Sequence, residues 1–217
     1  MTVPVSALAA GCLLLAYLLG SLSGSLLLGR LIGVDIRNSG SGNAGGTNAL
    51  RTRGWRFALG VVAIDVGKGV LAAILPLWLV HEAAMQWPLQ AACGFAAALG
   101  HVWPVFFGFR GGKGAGTLIG ALLVIWPQAA GVVLLVWLLV LLSTGYVGLS
   151  TVLAGASLIP LALFSGGDTL APRLLVALVA AAFLAFTHRE NLRRLRAGTE
   201  SRFEKARLIP RLFGLQR

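Results

Sequence analysis

The sequence predicts an all-α, polytopic integral membrane protein, and three observations predict it. Of 217 residues, 57% are hydrophobic and only 12% are charged, well below the roughly 25% charge typical of soluble domains. The apolar residues form continuous runs, not the two-residue alternation of a membrane barrel, and a helix satisfies its own backbone hydrogen bonds in lipid. Little chain remains between the runs, which leaves no room for a separate soluble domain, so 1–217 reads as a single membrane domain.

The runs occupy residues 5–28, 57–80, 89–107, 118–142, 147–164 and 172–186, most of them long enough for the roughly 20 residues of a spanning helix. The first is expected to be a retained span, because residues 1–10 contain no Lys or Arg to serve as the positive start of a secretory leader. Cys12 and Cys93 sit inside apolar runs without metal-like spacing and read as packing thiols.

Lys and Arg total 18 against 7 Asp and Glu. Their placement favours cytoplasmic loops over a nucleic-acid surface. Arg30, Arg37, Arg51, Arg53 and Arg56 follow the first run, Arg110 and Lys113 follow the third, and 189–217 carries nine more, whereas 81–88 and 165–172 have none. The positive-inside rule then places the amino terminus outside and the three basic segments in the cytoplasm. Six full crossings would leave the basic tail outside, so the span count is odd. Trp126-Pro127 interrupts the run 118–142, and proline removes a helix donor, so a short fourth helix ending there and a fifth returning make seven. Five is the competing count. The halves show no corresponding internal repeat, which weakens an inverted-repeat transporter.

Three polar segments carry the chemistry. After the first run, Ser39-Gly40-Ser41-Gly42-Asn43-Ala44-Gly45-Gly46-Thr47-Asn48 is too rich in glycine for a stable helix and is expected to be a loop. Glycines let successive N–H groups converge on an anion, the hydroxyl and amide side chains add donors, and Arg51 supplies a charged fork. A flexible linker would not need that donor set.

The second segment runs from Gly100-His101 through Trp103-Pro104 to Gly111-Gly112-Lys113-Gly114, a lysine among glycines that suggests another anion site. It is not a nucleotide P-loop: Gly108 to Gly112 is one residue short of that pattern, and Gly114 stands where Ser or Thr is needed. His101 by itself reads as a packed, hydrogen-bonded histidine.

In the third segment His188 and Asn191, three apart, share a helix face, and Glu190 with Arg194 has the spacing of a surface ion pair. A basic stop signal at anionic lipid explains the arginines better than it explains His188 and Asn191. Within the second run, Asp65 and Lys68 share a face, a spacing that suits both a bracing ion pair and a direct catalytic role.

Taken together, GVDIRNSGSGNAGGTNALR, GHVWPVFFGFRGGKGAGT and HRENLRRLRAGTE closely resemble, in order and spacing, the three signature motifs of the bacterial acyl-phosphate:glycerol-3-phosphate acyltransferase family. The resemblance covers nearly the whole chain. It departs at Gly46 and Gly116, where the family commonly has alanine, which affects local packing more than chemistry. It implies a seven-helix fold in the bacterial cytoplasmic (inner) membrane. It also implies transfer of a fatty acyl group from acyl phosphate to the 1-hydroxyl of sn-glycerol 3-phosphate, giving lysophosphatidate and phosphate without acyl-CoA or acyl carrier protein. No histidine here is followed by the H-x-x-x-x-D pattern of the soluble-donor acyltransferases, and no metal-ligating cluster or cofactor motif is visible.

By that resemblance, Ser41 with Gly40, Gly42, Asn43, Thr47 and Asn48 cradles the acyl phosphate. Arg51 and Lys113, the latter within Gly111, Gly112 and Gly114, neutralise phosphate charge, and His188 with Asn191 orients glycerol phosphate. The implied partners are these two small molecules and membrane lipid, with no nucleic acid and no obligate protein. The base is either His188 or the substrate's own phosphate, and the lack of a motif carboxylate placed to hold the imidazole favours the substrate. A transporter or flippase for an anionic metabolite is the alternative. It needs access from both faces, whereas all three segments are expected on one.

Overall fold

The computed structural model describes residues 4–208, among which every regular element is helical and no strand occurs. Arg211 and Arg217 of the basic tail lie outside the described residues. The chain divides into two compact units that change over at Pro127–Gln128.

In the first unit, α1 (Val5–Gly20), α2 (Gly24–Leu31), α3 (Gly46–Arg53), α4 (Trp55–Leu79), α5 (Ala83–Val102) and α6 (Ala115–Ile125) pack mainly through α4 against α5 and α6, and through α1 against α5. Small residues set these distances. A Cβ on Gly69 of α4 would strike the carbonyl of Thr117 on α6, and one on Gly120 of α6 would strike the carbonyl of Val66 on α4. Such backbone contact supplies the van der Waals attraction that holds helices together where burial from water does not.

The run 5–28 is not one straight helix: α1 and α2 meet at a 48° bend. Groups on α4 take the backbone atoms that the break exposes. Asp65 Oδ1 accepts the Gly24 N–H at 3.1 Å, and Lys68 Nζ donates to the Leu22 carbonyl at 3.2 Å. The two side chains also pair with each other at 3.0 Å, 6% and 3% exposed. The ion pair suggested by their spacing thus forms, and it holds a helix break together.

Helix α6 ends at Ile125, with Trp126 and Pro127 at the break the sequence marks. The Trp87 indole donates to the Ile125 carbonyl at 2.9 Å, satisfying one of the acceptors orphaned at a helix end.

The second unit contains α7 (Pro127–Thr144), α8 (Val147–Ala156), α9 (Leu158–Leu163), α10 (Leu170–Thr187) and α11 (Arg189–Arg196). Helix α10 packs on α8 and α9, and α11 on α8. Trp137 Nε1 donates to Thr151 Oγ1 at 3.2 Å, joining α7 to α8.

Among the described residues four helical segments, Trp55–Leu79, Ala84–Phe107, Pro127–Thr144 and Gly167–Thr187, are long and apolar enough to cross a membrane, and the bent pair α1 and α2, counted as one span, would be a fifth. Ala115–Ile125 and Val147–Leu163 are shorter apolar helices. Leu71, Leu135, Leu138 and Leu175 are among many large apolar side chains left exposed, a surface suited to lipid and not to water.

Candidate active site

The first glycine-rich segment is a loop only over 39–45. Ile36–Asn38 forms a single 3-10 turn and α3 begins at Gly46, so Thr47, Asn48 and Arg51, expected in the loop or just beyond it, are helical. The two glycines Gly45 and Gly46 stand at the helix start, where their cost is small, and ordinary helix formers follow. Asn48 is buried, and its amide organises the loop. Oδ1 accepts the Ser41 N–H at 2.9 Å, while Nδ2 donates to the carbonyls of Ile36 at 3.1 Å and Ser39 at 3.0 Å. Gly40 has φ 60°, and a Cβ there would meet Asn48 Oδ1. Ser41, Gly42 and Arg51 are exposed, while Asn43 and Thr47 are half-buried.

The second segment folds back on the end of α5. Gly111 N–H donates to the Val102 carbonyl and Gly112 N–H to the His101 carbonyl, both at 3.1 Å. Gly114, at φ 80°, turns the chain into α6, and Lys113 beside it is half-buried. The two loops touch: a Cβ on Gly112 would lie 2.8 Å from the Ala44 carbonyl of the first and would strike His101 Nε2.

Arg37, read from sequence only as a topogenic charge, joins the same loops. Its Nη1 donates to the carbonyls of Phe107 at 3.0 Å and Arg110 at 2.9 Å, and its Nε and Nη2 fork onto Asp35, the shortest contact being 2.7 Å. Hydrogen bonding to Arg37 holds the Asp35 carboxyl below its usual range, and the same bond raises Arg37. An open cavity of about 550 Å³ borders this clamp, lined by Leu26, Arg30, Arg37, Phe106 and Phe107 among others, but by none of the glycine-loop candidates.

In the second unit His188 is buried and forms the junction of α10 and α11. Its Nδ1 is 2.9 Å from the Leu184 carbonyl. A carbonyl only accepts, so Nδ1 carries the proton and the lone pair is on Nε2. Asn191 Nδ2 donates to Glu200 Oε1 at 2.5 Å, and Arg194 Nε donates to Glu200 Oε2 at 2.7 Å. The surface pair expected between Glu190 and Arg194 does not form. Glu190 pairs with Arg193 at 2.7 Å, because Arg194 is turned toward Glu200 by the chain that follows α11. That chain returns to the α7–α8 corner, where the Phe203 N–H donates to the Gly145 carbonyl at 2.8 Å and Arg202 donates to the Tyr146 hydroxyl at 2.7 Å. Gly148 of α8 lies directly under Asn191, whose Cβ would be 2.6 Å from a Cβ placed there.

Glu200 and Gly148 escaped the sequence reading. Glu200 is the last residue of the third motif, nine residues from Asn191, too far for a helical spacing rule. The structure therefore brings the two glycine-rich loops together in the first unit and the His188, Asn191 and Glu200 group together in the second. Among the described residues no group of three or more His, Cys, Asp or Glu suits a metal.

Apolar helices bearing cationic glycine loops and a histidine–asparagine pair at a helix junction define a helical integral membrane protein. Residues 10–198 match the family model described as glycerol-3-phosphate acyltransferase, and the chain belongs to this enzyme family. It is 42% identical over 190 residues to the glycerol-3-phosphate acyltransferase of Trichlorobacter lovleyi, covering 87% of this chain and 94% of the relative. Two crystal structures of PlsY (YgiH), an integral membrane glycerol 3-phosphate acyltransferase, are similar to it. The glycerol 3-phosphate form has a TM-score of 0.82 and 37% identity over 90% of this chain and 95% of that one. The lysophosphatidic acid form has a TM-score of 0.79 and 36% identity over 89% and 94%.

Proposed function

We propose that the protein transfers a fatty acyl group from acyl phosphate to the 1-hydroxyl of sn-glycerol 3-phosphate. The hydroxyl oxygen attacks the acyl carbonyl carbon, the bond from that carbon to the phosphate oxygen breaks, and inorganic phosphate leaves as lysophosphatidate forms. The hydroxyl proton passes to the departing phosphate. An acyl phosphate is a mixed anhydride with a good leaving group, so positioning and charge stabilisation supply most of the rate.

The observation that carries this reading is the contact between two glycine-rich loops, one bearing Ser41 and continuing into the helix of Arg51, the other bearing Lys113 at a helix start. Two glycine-rich segments, each with a cation, match a reaction with two phosphates. The ligands of the two PlsY structures match its acceptor and product. Ser41, Gly40, Gly42, Asn43 and Thr47 hold the acyl phosphate, and Asn48 holds the loop that does so. Arg51 and Lys113, the latter within Gly111, Gly112 and Gly114, neutralise phosphate, while His188 and Asn191 orient glycerol phosphate. Residues 1–217 are read as a single membrane acyltransferase domain that needs no cofactor, metal or protein partner.

The protein crosses the inner membrane seven times, a count for which four long apolar helices, the bent pair and two shorter apolar helices supply the segments, and the positive-inside rule puts the amino terminus outside and the basic segments in the cytoplasm. Purified protein incubated with glycerol 3-phosphate and palmitoyl phosphate is expected to release phosphate and lysophosphatidate in equal amounts. Formation of neither product would overturn the proposal, and activity with acyl-CoA alone would reassign the donor.

A further inference from the structure

Asp65, Lys68 and His101 form a buried charged cluster that the acyl-transfer chemistry does not use. Their side chains are 6%, 3% and 5% exposed. Lys68 Nζ has three neighbours in hydrogen-bond range: Asp65 Oδ1 at 3.0 Å, the Leu22 carbonyl at 3.2 Å and His101 Nδ1 at 2.8 Å. An ammonium carries three protons and no acceptor, so three acceptors satisfy it completely. His101 Nδ1 is then a lone-pair acceptor, although it also lies 3.3 Å from Asp65 Oδ1, and the imidazole proton is on Nε2. That nitrogen faces the loops: a Cβ added to Gly112 would strike it and would lie 2.8 Å from the Ala44 carbonyl. The backbone carbonyl of the same histidine accepts the Gly112 N–H at 3.1 Å.

We infer that His101 is a positioning residue, held by the Asp65–Lys68 pair with its Nε2–H toward the junction of the two glycine-rich loops, and that it thereby sets the course of the Gly111–Gly114 loop, which presents Lys113 to a phosphate group. The inference rests on the acyl-transfer reading for the identity of that phosphate, which belongs to glycerol 3-phosphate or to the acyl phosphate. The bulk of the cluster braces the bend between α1 and α2. The tautomer of His101 decides what it presents to that loop: a donor with the proton on Nε2, an acceptor with the proton on Nδ1.

The test uses the full-length protein in detergent. Each substrate is titrated at saturation of the other for wild type, His101→Asn and His101→Gln. Asparagine keeps the acceptor toward Lys68 but does not reach the loop, and glutamine places an N–H near the Nε2 position. His101→Asn is expected to raise KM for one of the two phosphate substrates about tenfold while kcat stays within about threefold; the affected substrate identifies the phosphate, and His101→Gln is expected to recover part of the loss. Imidazole ¹⁵N resonances, assigned with His81→Gln and His188→Gln, are expected to place the His101 proton on Nε2 in wild type and on Nδ1 in Lys68→Met, where Asp65 becomes the acceptor. Unchanged KM values in a folded His101→Asn protein would overturn the inference. So would a proton on Nδ1 in the wild-type spectrum, a measurement that needs no substitution at 101. A wild type that forms no product counts against the acyl-transfer reading, whereas an active wild type with either of those results counts against this one alone.

Discussion

The Nδ1–H of His188 donates to the backbone carbonyl of Leu184, one turn earlier, at 2.9 Å. The carboxylate that usually orients a catalytic imidazole is replaced by a helix carbonyl, which fixes the ring and its tautomer but adds no negative charge to stabilise an imidazolium. This supports the substrate's phosphate as proton acceptor. His188→Ala is expected to lower kcat by about 10- to 100-fold without abolishing turnover, less than removal of an essential general base often costs, and to raise KM for glycerol 3-phosphate. Complete inactivity with unchanged glycerol 3-phosphate binding, measured by calorimetry, would assign the base to His188.

Glu200 fixes the amide of Asn191 by accepting from Nδ2, which turns Oδ1 the other way. Removing this carboxylate frees the amide to flip and leaves Arg194 without its partner. Glu200→Ala is expected to cost about 10- to 100-fold in kcat/KM, on the scale of misplaced orienting groups, and Glu200→Gln less, since its carbonyl can still accept from Asn191. Steady-state kinetics beside a thermal melt separates this from simple loss of fold. Equal activity of Glu200→Ala and wild type would refute it.

Lys113 stands at the start of α6, after Gly111 and Gly112, whose N–H groups tie the loop back to the Val102 and His101 carbonyls. Lys113→Ala is expected to lower kcat/KM by about 100-fold or more, the scale of losing one preorganised charge at a developing anion. Lys113→Arg is expected to recover part of the loss. A loss confined to stability, with normal kcat/KM in the surviving protein, would remove Lys113 from the site.

Asp35 and Arg37 hold the two loops together, and the bond to Arg37 keeps the Asp35 carboxyl below its ordinary value of 3.8. A depressed carboxylate stabilises the fold above its unfolded pKa, and that stability is lost as pH falls through the lower folded value. The difference in melting temperature between wild type and Asp35→Asn is therefore expected to be constant from about pH 5 to 8 and to shrink toward about pH 3. A difference that grows on acidification would contradict the clamp.

The Gly112 N–H faces the His101 carbonyl, and its missing side chain makes room for His101 and Ala44. Gly112→Ala is expected to displace the loop and raise KM for a phosphate substrate by about tenfold or more, a displacement on the scale that costs catalysis elsewhere. A wild-type KM would show that the loop tolerates the shift.

The sequence alone determined the class of the molecule, its helical runs, the break at Trp126-Pro127 and the three polar motifs. Apolar periodicity, proline and glycine act locally, and their effects can be read along the chain. The pairing of Asp65 with Lys68 was also legible, because three residues apart is a helical neighbour. Only the tertiary structure decided what those residues hold: the bend between α1 and α2 at Leu22 and Gly24, the Arg37 fork across two loops, the helical start at Gly46 within an expected loop, and the turn of Arg194 from Glu190 to Glu200. Each depends on atoms brought together from distant positions or on a backbone group with no side-chain signature. Carbonyls such as those of Leu22, Phe107 and Arg110 are present at every residue, and only folding selects which of them a charged side chain meets.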